Sequence, residues 1–222
     1  MILKKPYIYY NKVFDDSFCK KVIDLGLSKL QDGQTSDKKD SANAEMTIAG
    51  ADKTKEQLEK EGVLEKTFMR KSKIAWLREQ WIYNSVLPFI NDANKIAGWK
   101  WDFDTIEQAQ FTRYTENEFY GWHADGNSDH LSVYNNSNST MTGKVRKISV
   151  TINLVDGNEY EGGNLKFDFG PHAGINRFKE ITEIRPKGSI VIFPSFTYHQ
   201  VTPVTKGTRY SLVLWCIGKP WR

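Results

Sequence analysis

The sequence predicts an α+β fold: a jelly-roll core (double-stranded β-helix, cupin-like) buttressed by N-terminal helices. Three observations predict it. Before Gly98 the apolar residues recur mainly at helical spacing. After Gly98 they fall into short runs, and in KISVTINL residues Ile148, Val150, Ile152 and Leu154 share one face by two-residue alternation. The breaks hold turn residues: Asp156-Gly157-Asn158, Gly162-Gly163, Gly170-Pro171 and Pro186-Lys187-Gly188. The chain reads as one catalytic-sized domain over 1–222, with 1–98 as mainly helical support and 99–222 as the jelly-roll.

In chain order, PYIYYNKVF (6–14) reads as a short aromatic strand. Asp15-Asp16-Ser17 can cap the following helix, whose stripe is Phe18, Val22 and Leu25. Residues 31–54 are polar and read as an irregular excursion, a length more typical of lids than of connectors. KEQLEKEGVLEK (55–66) reads as a short charged helix, and a stronger helix is expected over Ser72–Ile96, kinked or split at Pro88. The predicted strands are 99–104, 107–115, 147–156, 164–169, 178–186, 189–194, 199–204 and 208–218. The polar segment 126–146 is expected to arch over the mouth of the barrel.

Composition narrows the function classes. A hydrophobic content of 39% and a charged content of 26% mark a globular chain. The net charge is +4, and the basic residues are dispersed rather than gathered in a stripe, which argues against nucleic acid. Cys19 and Cys216 stand at opposite ends, making neither a disulfide framework nor a zinc motif. The start lacks the apolar core of a signal peptide, and no run approaches the roughly 18 residues of a membrane span. A cytoplasmic protein that does not engage membranes is the expectation.

The chemistry concentrates in YTENEFYGWHAD (114–125). His123 and Asp125 are two apart, so on a strand both can address one metal ion. His199 in FTYHQVTP is the candidate third ligand. Two imidazoles and a carboxylate suit a non-haem Fe(II) centre with open positions. Arg209, on the expected next strand, offers a fork for the carboxylate of a co-substrate, and Ser211 shares its face. H-x-D alone arises often by chance; its order relative to His199 and Arg209 makes it informative. His130 and His172, in polar loops, read as surface residues.

From about Arg70 onward the chain resembles the iron and 2-oxoglutarate-dependent dioxygenases of the prolyl 4-hydroxylase group, in particular their compact bacterial and phage-type members. The likeness rests on RKSKIAWL, QFTRYTENEFYGWHAD, EGGNLKF and KGSIVIFPSFTYHQVTPVTKGTRYSLVLW, and takes in the opening strand and helix as well. It implies that His123, Asp125 and His199 bind Fe(II), that Arg209 holds the distal carboxylate of 2-oxoglutarate with help from Ser211, and that the Tyr114 hydroxyl contacts the same molecule. Trp215, on the Arg209 face, reads equally as pocket wall and as core, and so do Tyr120 and Trp122.

The activity implied is hydroxylation of a C–H bond with O₂, yielding succinate and CO₂, with ascorbate as an accessory reductant. Halogenases of this type lack the carboxylate ligand, so Asp125 favours hydroxylation. Prolyl 4-hydroxylation of a peptide or protein partner is the first expectation. Hydroxylation of another side chain, a free amino acid or a small metabolite is the second. Nucleic-acid dealkylases carry an Arg-x-Asn-x₃-Arg run that Arg209–Trp215 lacks. A non-catalytic jelly-roll binding module is the reading from a different class. Segments 31–54 and 126–146 match nothing in the family. Neither substrate nor oligomeric state can be read from the chain.

Overall fold

In the computed structural model the structure describes residues 3–32, 41–47, 68–126, 133–135 and 140–221. The expected helix at 55–66, most of the expected excursion and most of the expected arch at 126–146 lie outside them. Strand β1 (Ile8–Tyr10) leads into helix α1 (Asp16–Asp32). Asp15 caps that helix, its Oδ1 accepting from the Phe18 N–H at 2.7 Å.

Two strands then precede the second helix. β2 (Ser41–Thr47) pairs antiparallel with β3 (Phe68–Leu77), and α2 follows over Gln80–Ile96. Residues 41–47 are thus a strand, where an irregular excursion was expected. The helix expected from Ser72 starts eight residues later. Ile74, Leu77 and Trp81 fit helical spacing, but Ala75 and Leu77 are turned toward the helices while Ile74 lies on the opposite strand face. Pairing with β2 and with residues 109–113 decides the matter. Pro88 neither ends nor splits α2: it sits on the exposed side, where the carbonyl it leaves unbonded can meet water.

The remaining strands are β4 (Thr105–Ile106), β5 (Ala109–Tyr114), β6 (Phe119–His123), β7 (Val145–Asn153), β8 (Tyr160–Gly162) and β9 (Leu165–Asp168). After them come β10 (Phe178–Glu180), β11 (Ile190–Pro194), β12 (Tyr198–Val201), β13 (Val204–Gly207) and β14 (Arg209–Gly218). Three expected strands differ. Residues 99–104 are irregular; 178–186 divides into β10 and a 3-10 turn at Thr182–Ile184; and 199–204 breaks between β12 and β13 at Pro203, which has no N–H for a ladder.

The main sheet is curled and antiparallel, in the order β1-β11-β7-β14-β5-β3-β6-β12-β9-β10, with β2 on β3 and β4 on β14. Its curl brings distant ends together. Tyr7, just before β1, meets Phe167 of β9 edge-on at 5.6 Å and stacks on Phe169 at 6.4 Å, while its hydroxyl donates to Glu183 at 2.9 Å.

The central strands bury both faces, but with different chemistry. On β7, Ile148, Val150 and Ile152 face the helices, where they join Ile82, Val86 and Ile90 of α2. The alternate residues Lys147, Ser149, Thr151 and Asn153 are buried too, turned to the opposite face. On β14, Leu212, Leu214 and Cys216 join the helix-side core, while Arg209, Ser211, Val213 and Trp215 line a cavity inside the curl. On β11, Ile190 and Ile192 face the helices and Val191 and Phe193 the interior. Both cysteines are free and buried. Among the described residues no helix is long and apolar enough to cross a membrane.

At Gly26, α1 packs directly on Phe111 of the sheet. A Cβ there would lie 2.3 Å from the Phe111 ring. Gly26→Ala should therefore cost about 1–3 kcal/mol through overpacking. A urea titration should show a lower midpoint with an unchanged slope.

Candidate metal centre

His123 ends β6 and His199 lies on the neighbouring β12, where the two are cross-strand partners. Asp125 follows β6 by two residues, and its N–H donates to the Ser195 carbonyl at 2.9 Å. One ligand atom from each of the three lies within 4.8 Å of the others. The Nε2 atoms of His123 and His199 are each 3.7 Å from an Asp125 carboxylate oxygen.

The imidazoles are aimed by their other nitrogen. His123 Nδ1 lies 2.8 Å from the Gly121 carbonyl, and His199 Nδ1 lies 2.8 Å from that of Thr197. Carbonyls only accept, so each Nδ1 carries the proton and each Nε2 keeps its lone pair for a metal. Burial, reinforced by the neighbouring His199, pushes His123 down to about 3, which keeps the ring neutral. For Asp125 burial alone would raise the carboxyl; the adjacent imidazoles, Arg146 and the Ser149 hydroxyl outweigh it and hold the group low. Ser149 donates to Asp125 Oδ2 at 2.6 Å. Neutral nitrogen donors and a buried carboxylate fit a divalent transition metal, and the two-His, one-carboxylate set fits Fe(II).

Arg209 opens β14 beside this donor set. It is 2% exposed and cross-strand to Tyr114, whose ring lies 5.5 Å from the guanidinium. Its Nη1 donates to Ser211 Oγ at 3.2 Å, and among the described residues no carboxylate forms an ion pair with it. Gly163 adopts φ +59 and comes so near that a Cβ would stand 3.0 Å from Arg209 Cδ. Gly162 ends β8 and Gly163 starts the short link to β9, where it also makes room for the arginine stem.

The structure brings His123, Asp125, His199, Tyr114, Arg209, Ser211 and Trp215 to one cavity. Trp215 lies on its wall with a buried Nε1–H that has no partner. Tyr120, also on the wall, stacks on the His123 ring at 3.5 Å. Trp122 points the other way and stacks on Tyr198 at 5.8 Å. His172 is exposed on a 3-10 turn, as expected for a surface histidine.

Sequence reasoning missed three residues here. Arg70 lines the cavity with one buried guanidinium nitrogen unpartnered, 4.5 Å over the Tyr120 ring. Arg146 and Glu107 form two hydrogen bonds of 2.7 Å, and the Arg146 guanidinium lies 3.9 Å over Trp215. Arg70 stood in a stretch read partly as helix, and Arg146 and Glu107 are distant in sequence, so no local pattern joined them.

Ser149→Ala removes the 2.6 Å bond that orients the Asp125 carboxylate. Affinity for Mn(II), measured by calorimetry, should fall roughly tenfold, and Asp125→Ala should abolish it.

Residues 109–217 match the family model of the 2OG-Fe(II) oxygenase superfamily. A PKHD-type hydroxylase of Xylella fastidiosa is 38% identical over 109 residues, which cover 48% of this chain and 42% of that protein. The PKHD-type hydroxylase YbiX of Shigella boydii is 37% identical over 114 residues, or 50% and 43% of the two chains. The chain thus spans less than half the length of these curated relatives. Among solved structures, a Pseudomonas putida prolyl-4-hydroxylase aligns with a TM-score of 0.61 at 14% identity, covering 96% of this chain and 93% of that one. A viral collagen prolyl hydroxylase from Paramecium bursaria Chlorella virus-1 aligns with a TM-score of 0.56 at 18% identity, covering 96% of each. At these identities the structures share the fold. The matched segment, just under half of the chain, contains Tyr114, the H-x-D pair, His199, Arg209 and Trp215, and this segment is one of the 2OG-Fe(II) oxygenase superfamily.

Proposed function

We propose that the chain is an Fe(II)- and 2-oxoglutarate-dependent hydroxylase, and that His123, Asp125 and His199 are the ligands of its iron. One observation carries the reading: the Arg209 guanidinium is buried beside the donor set with no carboxylate to balance it among the described residues. An unpaired buried charge is costly, and a bound anion would offset that cost. A co-substrate that chelates the metal through one end and meets Arg209 with a distal carboxylate satisfies both features.

When bound, iron with O₂ and 2-oxoglutarate supplies oxidative decarboxylation to succinate and CO₂, coupled to hydroxylation of a C–H bond. The protein supplies geometry around it. The Gly121 and Thr197 carbonyls orient the imidazoles, Ser149 orients the carboxylate, and Tyr114 and Ser211 flank the Arg209 fork. Leu165, Phe193 and Val201 give the cavity apolar walls that restrict water.

The proposed substrate is a prolyl peptide. Similarity to PKHD-type hydroxylases and the fold shared with prolyl hydroxylases support it. So do two buried donors without partners, Trp215 Nε1 and Arg70 Nη2, which a peptide's carbonyls could satisfy. The second of these favours one alternative. Two buried guanidiniums in one cavity, Arg70 and Arg209, also suit a substrate with its own carboxylate, such as a free amino acid.

Succinate release from 2-oxoglutarate with Fe(II) and O₂ tests the reading, with proline peptides and free amino acids as separate additions. Stimulation by peptides that is lost in Asp125→Ala is the expected result; stimulation by amino acids alone would select the alternative. No succinate from metal-loaded protein would reject the enzyme. Arg209→Lys keeps the charge and loses the fork, so the 2-oxoglutarate requirement should rise about tenfold, on the order of 1.4 kcal/mol.

A further inference from the structure

The turn between β11 and β12 holds two of the three candidate ligands. The Ser195 carbonyl accepts from the Asp125 N–H at 2.9 Å, and the Ser195 and Ser149 hydroxyls lie 2.9 Å apart, so Ser195 supports the group that orients the Asp125 carboxylate. Two residues on, the Thr197 carbonyl aims the His199 ring. The turn is tight, closed by Thr197 N–H to the Pro194 carbonyl at 2.8 Å and tied to β7 by Ser195 N–H to the Lys147 carbonyl at 3.0 Å. Ser195 and Thr197 are buried; Phe196 between them is only partly so.

Phe196 lands on an aromatic platform built from distant parts of the chain. Its ring centroid is 5.9 Å from Trp101 and 6.0 Å from Trp221, and those two tryptophans meet edge-on at 4.8 Å. Each partner is itself anchored. Trp101 stacks on Trp99 at 5.1 Å, and its backbone N–H and carbonyl both bond the Asn94 side chain on α2, at 3.0 and 2.9 Å. The Lys147 ammonium lies 4.9 Å over the Trp221 ring, and the same residue's carbonyl holds Ser195 from the other side. The turn is therefore gripped on both sides of its backbone: polar groups inside, aromatic rings outside.

We propose that the Trp101–Trp221 clasp on Phe196 positions the donor set, holding the 194–197 turn so that Asp125 and His199 keep the geometry a metal requires. None of the three aromatic residues touches the metal position; they act through Ser195 and Thr197. Released from the clasp, the turn would no longer fix the Thr197 carbonyl or the Ser195 pair, and the cost would appear as weaker metal binding. The proposal rests on the reading of His123, Asp125 and His199 as ligands.

The test is a Co(II) titration followed by the visible bands of the bound ion, with a thermal melt of each metal-free protein. The variants are Trp221→Ala, Trp221→Phe, Phe196→Leu and, as a stability control, Ile90→Ala in the helix-side core. Trp221→Ala and Phe196→Leu should weaken Co(II) binding tenfold or more, and Trp221→Phe should restore it to within about threefold of wild type. Ile90→Ala should lower the melting temperature and leave the affinity unchanged. Affinities within twofold of wild type in both Trp221→Ala and Phe196→Leu would overturn the proposal and make the clasp packing alone. Should Trp221→Ala not fold, Phe196→Leu against Ile90→Ala decides by the same criterion. Wild type failing to bind Co(II) would instead overturn the ligand assignment itself.

Discussion

The constraint on which the structure depends is that its central strands are buried on both faces, one against helices and the other inside a curl. A strand turns successive side chains to opposite sides, so one stretch of sequence must satisfy two environments at once. β7 and β14 do this by segregation. Their helix-side rows are aliphatic, each fully buried Ile or Leu contributing about 1.5–3 kcal/mol. Their interior rows carry Ser149, Thr151, Asn153, Arg209 and Ser211, polar groups that are costly to bury unless partnered. The apolar row anchors the strand, and the anchored strand can then hold polar groups where water would otherwise take them.

Function is built on that second row. Most of its members find partners within the fold: Ser149 on Asp125 and Ser195, Asn153 on the carbonyls of Val155 and Arg185. Asn153 Oδ1 is left without a partner, and further exceptions lie in the cavity with the donor set. Arg209 has a hydroxyl neighbour and a ring but no counter-charge among the described residues, and the buried nitrogens Arg70 Nη2 and Trp215 Nε1 have no partner. Arg146, by contrast, is neutralised by Glu107 and serves as a flat cation against Trp215. The difference between a paired and an unpaired guanidinium separates the arginine that shapes a wall from the ones left to meet an anion or a carbonyl.

Geometry at the donor set depends on backbone as much as on side chains. Gly121, Ser195 and Thr197 contribute carbonyls that no substitution of their own side chains would remove. These carbonyls stay in place because the turn and strand that carry them are fixed by packing elsewhere: β6 against β12 and β3, and the β11–β12 turn against Trp101 and Trp221. A wider groove, about 800 Å³, lies along Phe169, Phe178 and Tyr198. Tyr198 points away from His199 by strand alternation, which puts that groove on the face opposite the donors.

The sequence by itself determined the two-residue alternation, and with it the fold class, the helix-side core and the co-facial placement of Arg209, Ser211 and Trp215. It also determined the spacing of His123 and Asp125, because period and chirality are local properties of the chain. What it left open depended on partners remote in sequence. Ser72–Leu77 carries apolar residues compatible with either period, and pairing with β2 and β5 made it strand. WKWDFD has the composition of a strand, yet Asn94 claims the Trp101 backbone and turns the segment into an aromatic platform. The meeting of Arg146 with Glu107, of Arg70 with Tyr120, and of Trp221 with Phe196 joins residues 25 to 50 positions apart. No periodicity encodes such contacts; they exist only once the curl has closed and the interior has a shape to fill.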